Sequence, residues 1–306
     1  MGLRKVVSNL NKRMPSGIGV FARKALLGWG MVTADLRMVP DFIVIGAQRA
    51  GTTTLFRVLS EHPEVVRATV SKGVFYFDLN YSKGMRWYRG HFPLRFLANL
   101  GVRGRARTFE SSGYYLFHPL AAERMARDLP NVKVVAMLRD PVERAYSAHR
   151  HELMRGFETE DFETALALEP ERTTGADERI RQRPDQEDFD HRHHSYVARG
   201  QYAPQLQRYV DQMGPDRVFV VDADRFFGDP EEELAALFSW LGLAPWLPPE
   251  VAQWNAQARE PMDPELRERL TLQFADSDEA LEQIMGRTPS WVEARRGSAP
   301  QPAADD

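Results

Sequence analysis

Asp41-Phe42-Ile43-Val44-Ile45-Gly46-Ala47-Gln48-Arg49-Ala50-Gly51-Thr52-Thr53-Thr54-Leu55 is the stretch that decides the fold. The apolar run Phe42 to Ile45 suits a strand covered on both faces, and Gly46 and Gly51 permit a tight backbone turn directly after it. Thr52, Thr53 and Thr54 then open a helix whose first amides point at an anion. The spacing nearly satisfies the ATP-binding pattern G-x-x-x-x-G-K-[ST], but Thr52 stands where its lysine belongs and a cation sits earlier, as Arg49. This is a phosphate loop suited to a ligand other than ATP.

Outward from that loop the chain alternates. A helix is predicted from about Thr52 to Ser60, short strands at Val74 to Phe77 and Arg107 to Glu110, and a helix at Pro119 to Arg127. Val132 to Leu138 reads as a second buried strand with a helix leaving at Pro141. Helix Pro204 to Gln212, strand Arg217 to Val221 and helix Pro230 to Leu241 follow. The expected fold class is α/β: a single three-layer, P-loop NTPase-like domain with a central, mostly parallel sheet flanked by helices. Ligands of such sheets sit beyond the carboxyl ends of the strands.

Composition narrows the chemistry. The 306 residues carry a net charge of -3, which gives no reason to expect a nucleic acid partner. The absence of cysteine removes disulfides, thiolate metal sites and a cysteine nucleophile, and it fits a cytoplasmic setting. Residues 1–38 form a basic, apolar extension. Its stretch Ile18 to Val32 is interrupted by Arg23 and Lys24, which argues against a membrane span. Two readings stay open for it: a helix packed on its own domain, or a segment lying on the inner membrane surface. The domain proper is expected over 39–296. Glu169 to His194 is rich in charge and is expected as a polar loop or lid, and 297–306 as a disordered tail.

A second motif follows the strand Val132 to Leu138. Arg139 at its carboxyl end and Ser147 on the next helix are placed to hold a second phosphate, by a forked guanidinium and a hydroxyl. His151 falls one turn beyond Ser147 on the same face. Taken alone this R-x-P-x-x-R-x-x-S spacing is weak, since a solvated helix face stays open for Arg144 and Glu143; coupled to the glycine loop it becomes specific. His191, His193 and His194 read as a solvated loop rather than a metal cluster.

Together the two motifs resemble the PAPS-dependent sulfotransferases, nearest to the carbohydrate and heparan sulfate enzymes and their bacterial relatives. That family's G-x-x-[KR]-x-G-T loop is matched by Gly46 to Thr52, and R-x-P-x-x-R-x-x-S by Arg139 to Ser147. The likeness continues through Arg199-Gly200-Gln201-Tyr202, Leu237 to Leu243 and Gly286 to Trp291, so it covers about Val39 to Trp291. It implies 3′-phosphoadenosine 5′-phosphosulfate (PAPS) as co-substrate. Gln48, Arg49, Ala50, Gly51, Thr52, Thr53 and Thr54 would cradle its 5′ end, Arg139 and Ser147 its 3′-phosphate, and Arg259 would close over it.

The resemblance further implies sulfuryl transfer to a hydroxyl or amine of a carbohydrate, glycolipid or other hydroxylated acceptor, with no catalytic metal. Arg49 would meet the charge that grows on the leaving phosphate. The chain departs from the family where many relatives place Lys-Glu before an aromatic pair, because Ser71-Lys72-Gly73-Val74-Phe75-Tyr76-Phe77 has glycine in the glutamate's position. A family lysine is likewise replaced at Ser111. The candidates for the displaced base are His151, Glu110 and Asp78, the first two favoured, with Lys72 steering the sulfonate. A P-loop kinase and a PAPS-binding relative without transfer remain alternatives.

Overall fold

A computed structural model describes residues 16–69, 71–100, 102, 104–249, 251 and 262–298, with the side chains of residues 16–23 and Ser298 outside that description. The elements run α1 (Ser16–Val32), β1 (Phe42–Gly46), α2 (Thr52–Glu61), β2 (Val65–Arg67), α3 (Gly84–Arg89), α4 (Arg95–Leu100), β3 (Arg107–Ser111), α5 (Ala121–Asp128), β4 (Lys133–Leu138) and α6 (Pro141–Arg155). They continue with α7 (Phe162–Thr173), α8 (Ala176–Gln182), α9 (Phe189–His193), α10 (Tyr202–Met213), β5 (Val218–Asp222), α11 (Ala223–Gly228), α12 (Pro230–Leu241), α13 (Pro264–Met285) and α14 (Ser290–Ser298).

The strands form one sheet in the order β2-β3-β1-β4-β5, every adjacent pair parallel. β1 is buried throughout, and its side chains alternate between the two faces as the pleat requires. Ile43 and Ile45 join Met125, Leu206, Tyr209 and Leu281 of α5, α10 and α13. Phe42 and Val44 join Leu55, Leu59, Phe226 and Leu237 of α2, α11 and α12. The central position of β1 puts the loop after it at the middle of the sheet's carboxyl edge.

α1 packs against α3 at Gly30, where a side chain would overlap the Gly90 carbonyl. No helix among the described residues is long and apolar enough to cross a membrane.

Two expectations are corrected. Val74 to Phe77 is not a strand. Its four successive amides are taken by side chains instead of a ladder: Val74 by Glu110, Phe75 by Ser112, and Tyr76 and Phe77 by the Tyr115 hydroxyl. Glu169 to His194 is not a loop but the end of α7 followed by α8 and α9. Asp161 and Asp188 cap α7 and α9, accepting the amides of Thr164 and His191 at 2.9 and 3.0 Å. Much of its charge is paired, as in Arg179–Asp188 at 2.6 Å and Arg172–Glu158 at 2.7 Å.

Candidate active site

The turn after β1 is closed by Gly51, whose φ of 98° sits in the left-handed region and whose Cβ, if present, would lie 2.9 Å from the Phe227 ring. Two independent constraints therefore demand glycine there. The Gly51 carbonyl accepts the amides of Thr54 and Leu55 at 2.9 and 3.3 Å. The amides of Thr52 and Thr53 precede the first bonds of α2 and face the turn, which makes an anion cradle with the positive end of the helix dipole behind it.

Arg49 joins this cradle to the second motif. Its Nε donates to Ser147 Oγ on α6 at 3.1 Å, and its own carbonyl faces Arg139 Nη1 at 3.5 Å. Asp140 caps α6 by accepting the Val142 amide at 2.8 Å, and Pro141 fixes the first turn. These local signals aim Arg139 and Ser147 toward the loop. His151 is half-buried one turn beyond Ser147, and burial first, then the Arg49 guanidinium, push its pKa below the ordinary 6.5. The imidazole is neutral at pH 7 and able to accept a proton.

Lys72 reaches over α2, donating to Thr53 Oγ1 at 3.1 Å. Burial, then repulsion from Arg57, lowers its pKa to about 8. The backbone beside it leaves no room at residue 73: a Cβ on Gly73 would lie 2.7 Å from the Ser111 carbonyl and 2.8 Å from Ser112 Oγ. Restoring the family glutamate by Gly73→Glu should therefore cost about 1–3 kcal/mol of stability through overpacking. Denaturant midpoints measure this, and an unchanged midpoint would show that the backbone yields.

Glu110, expected to face the cleft, sits elsewhere. It is fully buried, and its carboxylate accepts four donors: the Val74 amide at 2.7 Å, Ser112 Oγ at 2.7 Å, Tyr88 Oη at 2.9 Å and Tyr115 Oη at 3.1 Å. Burial pushes its pKa up while those four bonds oppose the shift. With its lone pairs engaged, Glu110 holds the 73–77 segment in place. Asp78 is also fully buried, pushed to about 7 mainly by burial, with Oδ1 accepting the Leu79 amide.

Two arginines are buried beside the site. Arg144, for which the sequence alone leaves a solvated helix face open, is fully buried and bonds the Tyr196 carbonyl. Arg199 is buried and bonds the Gln48 side chain of the phosphate loop and the Arg192 carbonyl, with its guanidinium 5.0 Å from the Tyr114 ring. Burial lowers its pKa to about 10. The histidines are buried as well, each on its own partners: His191 between Tyr114 and Asp177, His193 on Glu152, His194 on Asp190. Among the described residues no group of three or more His, Cys, Asp or Glu could hold a metal ion. Arg259 lies outside the described residues.

The structure thus brings together Gln48 to Thr54, Lys72, Arg139, Ser147 and His151 at the carboxyl edge of the sheet, and sets Glu110 behind them.

Comparison with known proteins agrees with this geometry. A model of the sulfotransferase domain matches residues 39–263. The heparan sulfate glucosamine 3-O-sulfotransferase 5 of Homo sapiens is 25% identical over 287 residues, covering 84% of this chain and 75% of that protein. The bifunctional heparan sulfate N-deacetylase/N-sulfotransferase 1 of Caenorhabditis elegans is 27% identical over 217 residues, covering 69% of this chain. The chain spans only 23% of that larger protein. A crystal structure of a sulfotransferase from Alicyclobacillus acidocaldarius superposes with a TM-score of 0.61 at 32% identity, covering 82% of this chain and 97% of that one. With the phosphate loop, the second motif and the domain match in agreement, the chain belongs to the sulfotransferase family.

Proposed function

We propose that this sulfotransferase takes the sulfuryl group of PAPS and passes it in line to a hydroxyl or amine of a carbohydrate, glycolipid or other hydroxylated acceptor, without a catalytic metal. The observation that carries the proposal is the Arg49–Ser147 bond, which makes one site of a loop suited to one phosphate and a helix suited to another. The residues present fit such a donor: the turn is shaped by Gly51, the first amides of α2 face outward, and two guanidiniums and a hydroxyl converge on the gap between the motifs.

In this reaction the sulfur–oxygen bond to the donor's phosphate breaks as a bond to the acceptor forms, and adenosine 3′,5′-bisphosphate leaves. Arg49 meets the charge left on that phosphate, and the amides from Ala50 to Thr54 hold it. Arg139 and Ser147 take the 3′-phosphate, and Arg259 is assigned to closing over the nucleotide by family resemblance alone. His151 accepts the acceptor's proton, a role its depressed pKa suits, and Lys72 steers the sulfonate. The acceptor class is supported by the heparan sulfate named for the relatives above. The proposed setting is the cytoplasm, at or near the inner membrane surface; a Dictyostelium discoideum relative, 37% identical over 119 residues, is named a membrane-associated sulfotransferase.

The substitution of Gly73 for the family glutamate favours a second reading, a nucleotide-binding relative without transfer. Incubation with sulfur-labelled PAPS and a panel of glycans, glycolipids and phenols separates the two. The proposal expects acceptor-dependent release of the bisphosphate, with turnover rising with pH through a value below 6.5 and losing that dependence in His151→Gln. Tight PAPS binding with no release on any acceptor would select the second reading.

A further inference from the structure

Charge is distributed unevenly along this chain. Residues 1–38 and 81–109 together hold fourteen Lys and Arg and a single acid, Asp35, although the whole chain is net -3. Eight of those cations have described side chains, and the structure brings the described parts of the two stretches, residues 24–38 and 81–109 without 101 and 103, to one place. Arg37 bridges Leu94, the Met38 amide bonds the Pro93 carbonyl at 3.0 Å, and the Ala106 amide bonds Asn99 at 2.9 Å. α4 therefore lies beside the entries to β1 and β3, at the amino edge of the sheet.

Among the described residues, the same place carries most of the exposed large apolar side chains. Trp29 (58% exposed), Val32 (72%) and Leu36 come from α1 and the turn after it, and Phe96 (73%), Leu97 and Leu100 (68%) from α4. Lys24 and Arg95 are exposed beside them, as are Arg86 and Arg105. Arg95 and Arg105 also flank a shallow cavity of about 340 Å³ under α4. Asp35 is held by Arg86 at 2.8 Å and Asp41 by Arg105 at 3.2 Å, so neither acid stands alone on this face.

We propose that this face, built jointly by α1, its following turn and α4, docks on an anionic lipid bilayer, with α4 at the amino edge holding the catalytic cleft away from it. Protruding aromatic and aliphatic side chains rimmed by cations match the two attractions of an interfacial site, apolar insertion and headgroup charge. Exposed apolar side chains gathered in this way mark an interaction site, and the cations beside them favour an anionic partner. The orientation follows from α4, which lies at the strand entries. β1 spans five residues, so at about 3.3 Å per residue α4 and the phosphate loop are roughly 15–20 Å apart, at opposite edges of the sheet.

For the proposed reaction, on which only this consequence rests, the acceptor then comes from the aqueous side. It is a soluble glycan or the distal part of a long chain, and a short-headgroup glycolipid in the same bilayer cannot reach the loop.

Co-sedimentation with phosphatidylcholine vesicles, with and without phosphatidylglycerol, tests docking without using activity. Binding is expected only with phosphatidylglycerol, weakened about tenfold or more in Phe96→Asp/Leu97→Asp, whose fold is checked by circular dichroism. Quenching of Trp29 by brominated lipid, identified by its loss in Trp29→Phe, is expected as well. Equal binding to neutral vesicles, unaltered binding by the double variant, or a wild-type dimer that this variant dissociates would each overturn docking. Binding that vanishes on removal of residues 1–15 but survives the double variant would do the same. If vesicles bind as expected but a short-headgroup glycolipid within them is sulfated as fast as a soluble oligosaccharide, the orientation is wrong.

Discussion

Arg49→Ala is expected to lower turnover about a hundredfold or more, the usual consequence of removing a group that meets charge developing in the transition state. Three features of the site set this expectation. The guanidinium is fixed by Ser147 at 3.1 Å, its backbone is held in the turn at φ 71°, and Arg139 sits on its carbonyl. Little reorganisation is then needed when charge appears beside it. Alanine keeps the turn and removes the charge, so donor binding should suffer much less than turnover. Arg49→Lys, which restores a cation the family loop also accepts, should recover most of the loss. Single-turnover rates with saturating PAPS measure the effect. A rate within a few-fold of wild type in Arg49→Ala would remove this residue from the chemistry.

The largest expected loss of stability is at Glu110. Its carboxylate ends four hydrogen bonds in a site closed to water, and Glu110→Ala leaves a backbone amide and three hydroxyls there without their acceptor. The expected cost is about 3–5 kcal/mol. Two of the three side-chain donors, Ser112 and Tyr115, also accept amides of the 75–77 segment, so the damage should spread to the wall beside Lys72. Denaturant unfolding measures the loss, and a midpoint equal to wild type would contradict the assignment of Glu110 as the group that holds this wall. Glu110→Gln provides a separate test of chemistry. A folded glutamine variant with normal PAPS binding and abolished turnover would return Glu110 to the role of base.

What the sequence made legible was local. The glycine turn, the strand before it and the helix start at Pro141 are specified by neighbours in the chain, and so both motifs could be set on their elements from the sequence. What stayed hidden was non-local. Val74 to Phe77 has the apolar content of a strand, but its amides are claimed by side chains at 110, 112 and 115. Arg199 meets Gln48 from 151 positions away, and nothing in the sequence near either residue announces the bond. In the 169–194 stretch the charge was visible and its pairing was not. The signal that could have corrected it was the pair of aspartates, Asp161 and Asp188, each three residues before the amide it caps. Burial of three histidines follows from packing of α9 against its neighbours, which composition cannot convey.

The central claim is that one cradle holds both phosphates of a bis-phosphorylated adenosine, and calorimetry tests it without an acceptor. Adenosine 3′,5′-bisphosphate should bind the wild-type protein about tenfold or more tightly than adenosine 5′-monophosphate, since the 3′-phosphate adds charge-assisted bonds to Arg139 and Ser147. Arg139→Ala should bring the two affinities close together. Tight binding of ATP with no heat from the bisphosphate would contradict the account.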